Sequence, residues 1–158
     1  MYIFDGAMGT MLQAAGLEEG YCPELFNVER PEVVKNIHTQ YLQHGSDVIT
    51  TNTFGACGLK LEDYNLQDRV KEINIAAVKV AKKAIAEFKP SARVAGSMGP
   101  TGRFLQPLGN MSFDSIYDTY REQAEALIEG GVDFIIIETI IDVQEMRAAL
   151  LASLDARK

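Results

Sequence analysis

Two stretches of this chain repeat one pattern. GSDVITTNT (residues 45–53) and GVDFIIIET (residues 131–139) each pass from a helix-ending glycine, through one residue and an aspartate, into an apolar run that stops in polar side chains. The copies start 86 residues apart, at 45 and 131. That offset suits about two strand–helix units and points to a repeated α/β architecture. Within the copies, DVIT (47–50) and DFIIIE (133–138) are rich in β-branched residues and do not alternate with polar ones. Strands buried on both faces of a parallel sheet have this character.

Two further short apolar runs, Tyr2–Phe4 and Ala92–Ser97, bring the expected strands to about four. Helical periodicity fills the gaps. Pro31 suits a first helical turn, and Val34, Ile37 and Tyr41 continue at three-and-four spacing to Gly45. Val70, Ile73, Ala77, Val80, Ala84 and Phe88 mark a second helix that Pro90 stops. Ile116, Tyr120, Ala124 and Leu127 mark a third, ending at Gly130–Gly131, and Val143, Met146 and Leu150 mark a fourth that begins near Asp142. The segment Gly99–Ser112, with its glycines and prolines, is the longest irregular piece, a length at which loops are often functional.

The 158 residues read as a single domain, and a 47% hydrophobic content supplies a core. A net charge of -7 argues against a nucleic-acid partner. No apolar run approaches the ~20 residues of a membrane span, and no secretory leader pattern is visible. Cys22 and Cys57 form no CxxC pair, which fits a reducing cytoplasm and gives no zinc site by itself.

In parallel α/β folds ligands bind beyond the carboxyl ends of the strands. Here those ends are Asp5–Gly6, Thr51–Asn52–Thr53, Ser97 and Glu138–Thr139. Two acids, several hydroxyls and glycine-exposed amides suit a small zwitterion, with the acids holding an ammonium and the amides a carboxylate. Blander roles compete: Asp5 as a helix cap, Thr51 and Thr53 as ordinary strand threonines. Ser97 stands in GSMG, which is not a GxSxG elbow, and His38 and His44 are expected on a helix surface away from the tips. GAMG lacks both the P-loop lysine and the full GxGxxG pattern, so nucleotide binding is not favoured.

The stretches DGAMGTMLQ, PEVVKNIHTQYLQHGSDVITTNTFGA, VAGSMGPTG and EGGVDFIIIETIIDVQEMRAAL, in order over nearly the whole chain, resemble the homocysteine S-methyltransferase domain. The likeness is greatest to the domain of cobalamin-dependent methionine synthases. The resemblance implies a (β/α)8 barrel of the TIM type. It also implies methyl transfer to the thiol of homocysteine to form methionine, with zinc binding the sulfur and methylcobalamin as donor on another module. S-methylmethionine or betaine are the donors of other members. By the same resemblance, Asp5 and Glu138 hold the amino acid portion of homocysteine, Gly6, Thr51 and Thr53 line that pocket, and Ser97 occupies a strand end beside it.

Such a barrel needs ~250 residues and eight strands. Residues 1–158 therefore correspond to its N-terminal half. The family's zinc-binding cysteines lie in the other half, and neither Cys22 nor Cys57 matches one. The resemblance thus implies partnership with the other half-barrel or with cobalamin- and folate-binding modules. A non-catalytic half-barrel that binds an amino acid, or only assembles with a partner, is the competing reading, and an unrelated flavodoxin-like domain is a third. Open edges on the first and fourth strands would favour pairing of two copies. The chain alone is expected to bind zinc no more tightly than a Cys22→Ser/Cys57→Ser double variant. Equilibrium dialysis showing tight, stoichiometric binding that depends on the two cysteines would refute this.

Overall fold

The computed structural model describes residues 1–158. After the apolar run at the N-terminus come α1 (Gly9–Ala14), a 3-10 turn at Pro23–Leu25, α2 (Phe26–Glu29) and α3 (Pro31–Gln43). Then follow β1 (Val48–Thr50), α4 (Gly58–Leu61), α5 (Val70–Phe88), β2 (Arg93–Met98), α6 (Phe113–Gly130), β3 (Phe134–Ile137) and α7 (Val143–Asp155). The three strands are parallel and lie in the order β1-β2-β3, with Val48 opposite Arg93 and Ala95 opposite Phe134. Phe4 bridges Val48 in parallel on the free side of β1.

Spatial order therefore follows chain order, as in the winding of a barrel. A flavodoxin-like order would place the first run between the next two, whereas here the second and third runs pair directly. The first of the four expected strands is reduced to that single bridge. Its backbone contacts are confined to Ile3 and Asp5 with Asp47 and Val48, and Met1–Phe4 stay exposed. An edge run this short leaves the ladder as soon as Asp5–Gly6 turns away. The sheet is curled: the rings of Phe4 and Phe134 meet edge-to-face at 6.1 Å although β1 and β2 lie between them.

Helices pack along the outside of the sheet, each on its predecessor. Val70, Ile73, Ala77, Val80 and Ala84 of α5 are buried as the periodicity predicts, while Phe88 at the end of the helix is exposed. Ile116, Tyr120, Ala124 and Leu127 of α6 form one core with Ala148, Ala149 and Ala152 of α7. The alanines allow the two helices to approach closely. The stripe expected to be buried on α7 is not: Val143 is 78% and Leu150 50% exposed. The helix packs sideways onto α6 through Glu145, Ala148, Ala149 and Ala152 instead, and Ser153 reaches the Met98 sulfur of β2. Leu150 and Leu154 line an open groove with Ile135 and Ile137 at the outer edge of β3.

His38 is a further correction. It is fully buried, and neither ring nitrogen has a hydrogen-bond partner; only His44 is exposed. The row Val34–His38–Leu42, spaced by four, lies on the inner face of α3. Burial alone lowers the His38 pKa from 6.5 to about 4. The imidazole must stay neutral to remain folded inside, so its contribution to stability worsens as pH falls from 6.5 towards 4. His38→Leu removes two unsatisfied polar atoms and is expected to stabilise the chain by about 1–3 kcal/mol at pH 7. The gap should widen at pH 5, as measured by urea unfolding; a loss of stability at both pH values would count against this account.

Candidate functional site

Polar side chains at the carboxyl ends of the N-terminal run, β1 and β2 tie each of them to its neighbour. Asp5 closes the N-terminal run. Its two carboxylate oxygens accept from Thr50 at the end of β1: Oδ2 from the backbone N–H at 2.9 Å and Oδ1 from the hydroxyl at 3.0 Å. Asp5 therefore does not cap α1, whose N-cap, Met8, makes no side-chain bond. Just beyond β1, the Thr51 hydroxyl accepts from the Ser97 N–H (3.1 Å) and lies 2.6 Å from the Thr53 hydroxyl, which donates to the Ser97 carbonyl (2.7 Å). The Ser97 hydroxyl near the end of β2 donates to Glu138 Oε1 beyond β3 at 2.6 Å.

These contacts surround a cavity of about 450 Å3 at the carboxyl ends of the strands. Asp5, Gly6, Thr51, Ser97 and Glu138 line it, together with Thr50, Asn52, Phe54, Ile136 and the turn from Ala7 to Gly9. Thr53 does not; it is fully buried behind the strand ends. Gly6 also makes room for a neighbour, since a Cβ there would stand 3.0 Å from the Tyr41 hydroxyl. No lysine, arginine or histidine lines the cavity. Asn52 stands at an expected strand end without a role of its own; Thr50 and Phe54 were not singled out by sequence reasoning, although TNTFGA places Phe54 in the segment directly after β1. Glu145 was also missed. It stands three residues after the α7 N-cap Asp142, the spacing of a capping box, yet its side chain turns inward.

Burial raises the Asp5 carboxyl from 3.8 to about 6; the Thr50 bonds oppose the rise and the charge of Glu138 adds to it. Thr139, next to Glu138, has φ +62. A β-branched residue in the left-handed region is strained, at a cost of roughly 1–3 kcal/mol. Strain of this kind gathers where a neighbouring side chain must be aimed.

The residues present do not make a zinc site. Nowhere do three His, Cys, Asp or Glu side chains gather as metal ligands. Both cysteines are buried away from the cavity. Burial pushes the Cys22 thiol up to about 12 and the Cys57 thiol up to about 11, and a metal would need the thiolates.

A sequentially wound parallel β/α sheet with an acidic, base-free cavity at the carboxyl ends of its strands defines a barrel-type β/α domain. The homocysteine S-methyltransferase family matches residues 2–158, and the chain belongs to that family. It is 40% identical over 159 aligned positions to a methionine synthase of Mycobacterium tuberculosis, and 37% identical to that of Mycobacterium leprae. Each alignment covers 94% of this chain and 13% of the relative, so the chain spans about an eighth of these curated relatives. Among solved structures it resembles the homocysteine methyltransferase MmuM from Escherichia coli. For the oxidised form the TM-score is 0.81 at 28% identity, covering 99% of this chain and 58% of that one. The metallated form has the same TM-score and identity.

The rise of the Asp5 pKa means that ionising it costs folding energy. Stability from this group is highest below its ordinary pKa of 3.8 and is lost as pH rises through about 6. Asp5→Asn should therefore stabilise the chain at pH 8, by roughly 1–2 kcal/mol once partial exposure is allowed for, and have little effect at pH 4. Thermal unfolding at the two pH values tests this; an equal effect at both would contradict it.

Proposed function

We propose that this chain forms the substrate-gripping part of a homocysteine S-methyltransferase, binding homocysteine for methyl transfer to its thiol and formation of methionine. The observation that carries the reading is the pairing of Asp5 and Glu138 on one cavity without a basic residue. Two carboxylates in a partly buried space need a cation, and an α-ammonium meets that need with charge-assisted hydrogen bonds. Ser97 occupies one oxygen of Glu138 and leaves Oε2 for the ligand. Ala7 and Met8 line the same cavity and their N–H groups donate to no group of the protein, which leaves them available to the substrate carboxylate. Phe4, Phe54 and Ile136 supply the apolar wall for the methylene stem. Fixing the amino acid end aims the sulfur, which is how binding energy lowers the entropic part of the barrier.

Zinc, which would supply thiolate formation, and a methylcobalamin donor charged by methyltetrahydrofolate belong, in this reading, to segments outside these residues. The same holds for partner modules that carry cobalamin and folate. A cytoplasmic setting fits two free, buried thiols.

Calorimetric titration with L-homocysteine tests the proposal. Binding is expected at pH 7.5, and Asp5→Asn should weaken it about 10- to 100-fold. Affinity should fall as pH drops through about 6, where Asp5 loses its charge. Equal binding of homocysteine and its deaminated hydroxy-acid analogue would overturn the ammonium assignment.

A further inference from the structure

Glu145 is buried in the first turn of α7, and its Oε1 gathers polar groups from two other segments. It accepts from the Thr101 N–H at 2.8 Å and from the Thr101 hydroxyl at 2.7 Å. The Tyr120 hydroxyl of α6 lies 3.0 Å from the same oxygen and 3.0 Å from the Gly99 carbonyl. Its single hydrogen serves one of the two at a time. Burial, and then the charge of Glu145, push the Tyr120 pKa well above its ordinary value, so the phenol stays a donor.

The turn held in this way touches the cavity wall. The Gly99 N–H donates to the Phe54 carbonyl at 2.9 Å. A Cβ on Gly99 would stand 2.6 Å from the Phe54 ring, so the ring packs directly against the backbone of the turn. Phe54 lines the cavity although it is 42% exposed. With one side open to solvent, its position depends on the turn beneath it. On the far side the turn is tied to α4 and the segment after it, where Arg103 donates to the Leu59 carbonyl and to Asp63.

We propose that Glu145 is a positioning residue for the cavity: by clamping the Gly99–Thr101 turn, it fixes the Phe54 wall against which the substrate side chain lies. This rests on the reading of the cavity as a homocysteine site. Glu145 touches no cavity surface itself. Its carboxylate suits the task because the N-terminus of α7 and the Thr101 donors together favour negative charge there. A six-residue stretch joins it to Glu138, so one short segment carries both an acid of the cavity and the clamp on the Phe54 wall.

The test uses the full chain with Glu145→Ala, Glu145→Gln, Tyr120→Phe and Phe54→Ala, plus the Glu145→Ala/Phe54→Ala double variant. Amide exchange by NMR reads the turn, and calorimetry with L-homocysteine reads the cavity. Glu145→Ala is expected to speed exchange at Gly99 and Thr101 about tenfold over that in β1 and β2, and to weaken binding about tenfold. Glu145→Gln, which keeps an acceptor, should restore most of both. In the Phe54→Ala background, Glu145→Ala should cost no further affinity, because the wall it positions is gone. Equal losses with and without Phe54, or unchanged exchange at Gly99, would overturn the proposal. If Glu145→Ala does not fold, Tyr120→Phe must speed Gly99 exchange, and failure to do so is equally decisive. Should the wild-type chain bind no homocysteine while Glu145→Ala still loosens Gly99 and Thr101 selectively, the substrate reading fails and the clamp on Phe54 stands.

Discussion

The sheet is held at the carboxyl ends of its strands by side chains that satisfy one another across strands. Asp5 accepts from Thr50, Thr51 and Thr53 enclose the backbone of Ser97, and Ser97 donates to Glu138. Polar groups at strand ends would otherwise face a part-buried space without partners, at a cost of about 1–3 kcal/mol each. Passing bonds laterally removes that cost and fixes where the two carboxylates stand. The cavity is thus what remains when this relay is complete: its walls are the side chains the relay uses, and its charge is what the relay leaves uncompensated.

Much of this was legible in the sequence because the period of the pattern matched the geometry. Continuous β-branched runs became β1 and β3, and the polar residues that ended them became the rim of the cavity. Asp5, Glu138, Ser97 and Thr51 line the cavity because polar side chains that end apolar runs fall at the carboxyl ends of the strands. Thr53 followed the same rule, yet the chain turns after Thr51, with the Thr53 N–H on the Thr51 carbonyl, and the Thr53 hydroxyl bonds the Ser97 carbonyl instead of facing the cavity. His38 was misplaced because residue type was weighed above position. Its place between Val34 and Leu42 on one row of α3 was the better guide. The exposed stripe of α7 could not be read from periodicity, which says that a face is apolar but not which neighbour covers it. Glu145 was hidden by its own spacing from Asp142, which has a local explanation that the tertiary fold overrides.

Two buried titratable groups pull against each other. Burial holds Asp5 towards its neutral acid form and His38 towards its neutral base form. Between about pH 4 and 6 the first favours the folded chain on acidification and the second opposes it. Only Asp5 has a counterpart in the cavity's work, since a bound cation would offset the cost of ionising it. The strain at Thr139 is a local cost beside Glu138, the other carboxylate of the cavity.

The sequential winding of the sheet has a consequence for biosynthesis. Because the first run lies beside β1, β1 beside β2 and β2 beside β3, every new strand–helix unit finds its packing surface on the unit made just before it. No strand has to wait for a later one to be inserted between it and its neighbour. A chain leaving the ribosome can therefore add its layers in the order of translation, each onto the edge of the unit before it.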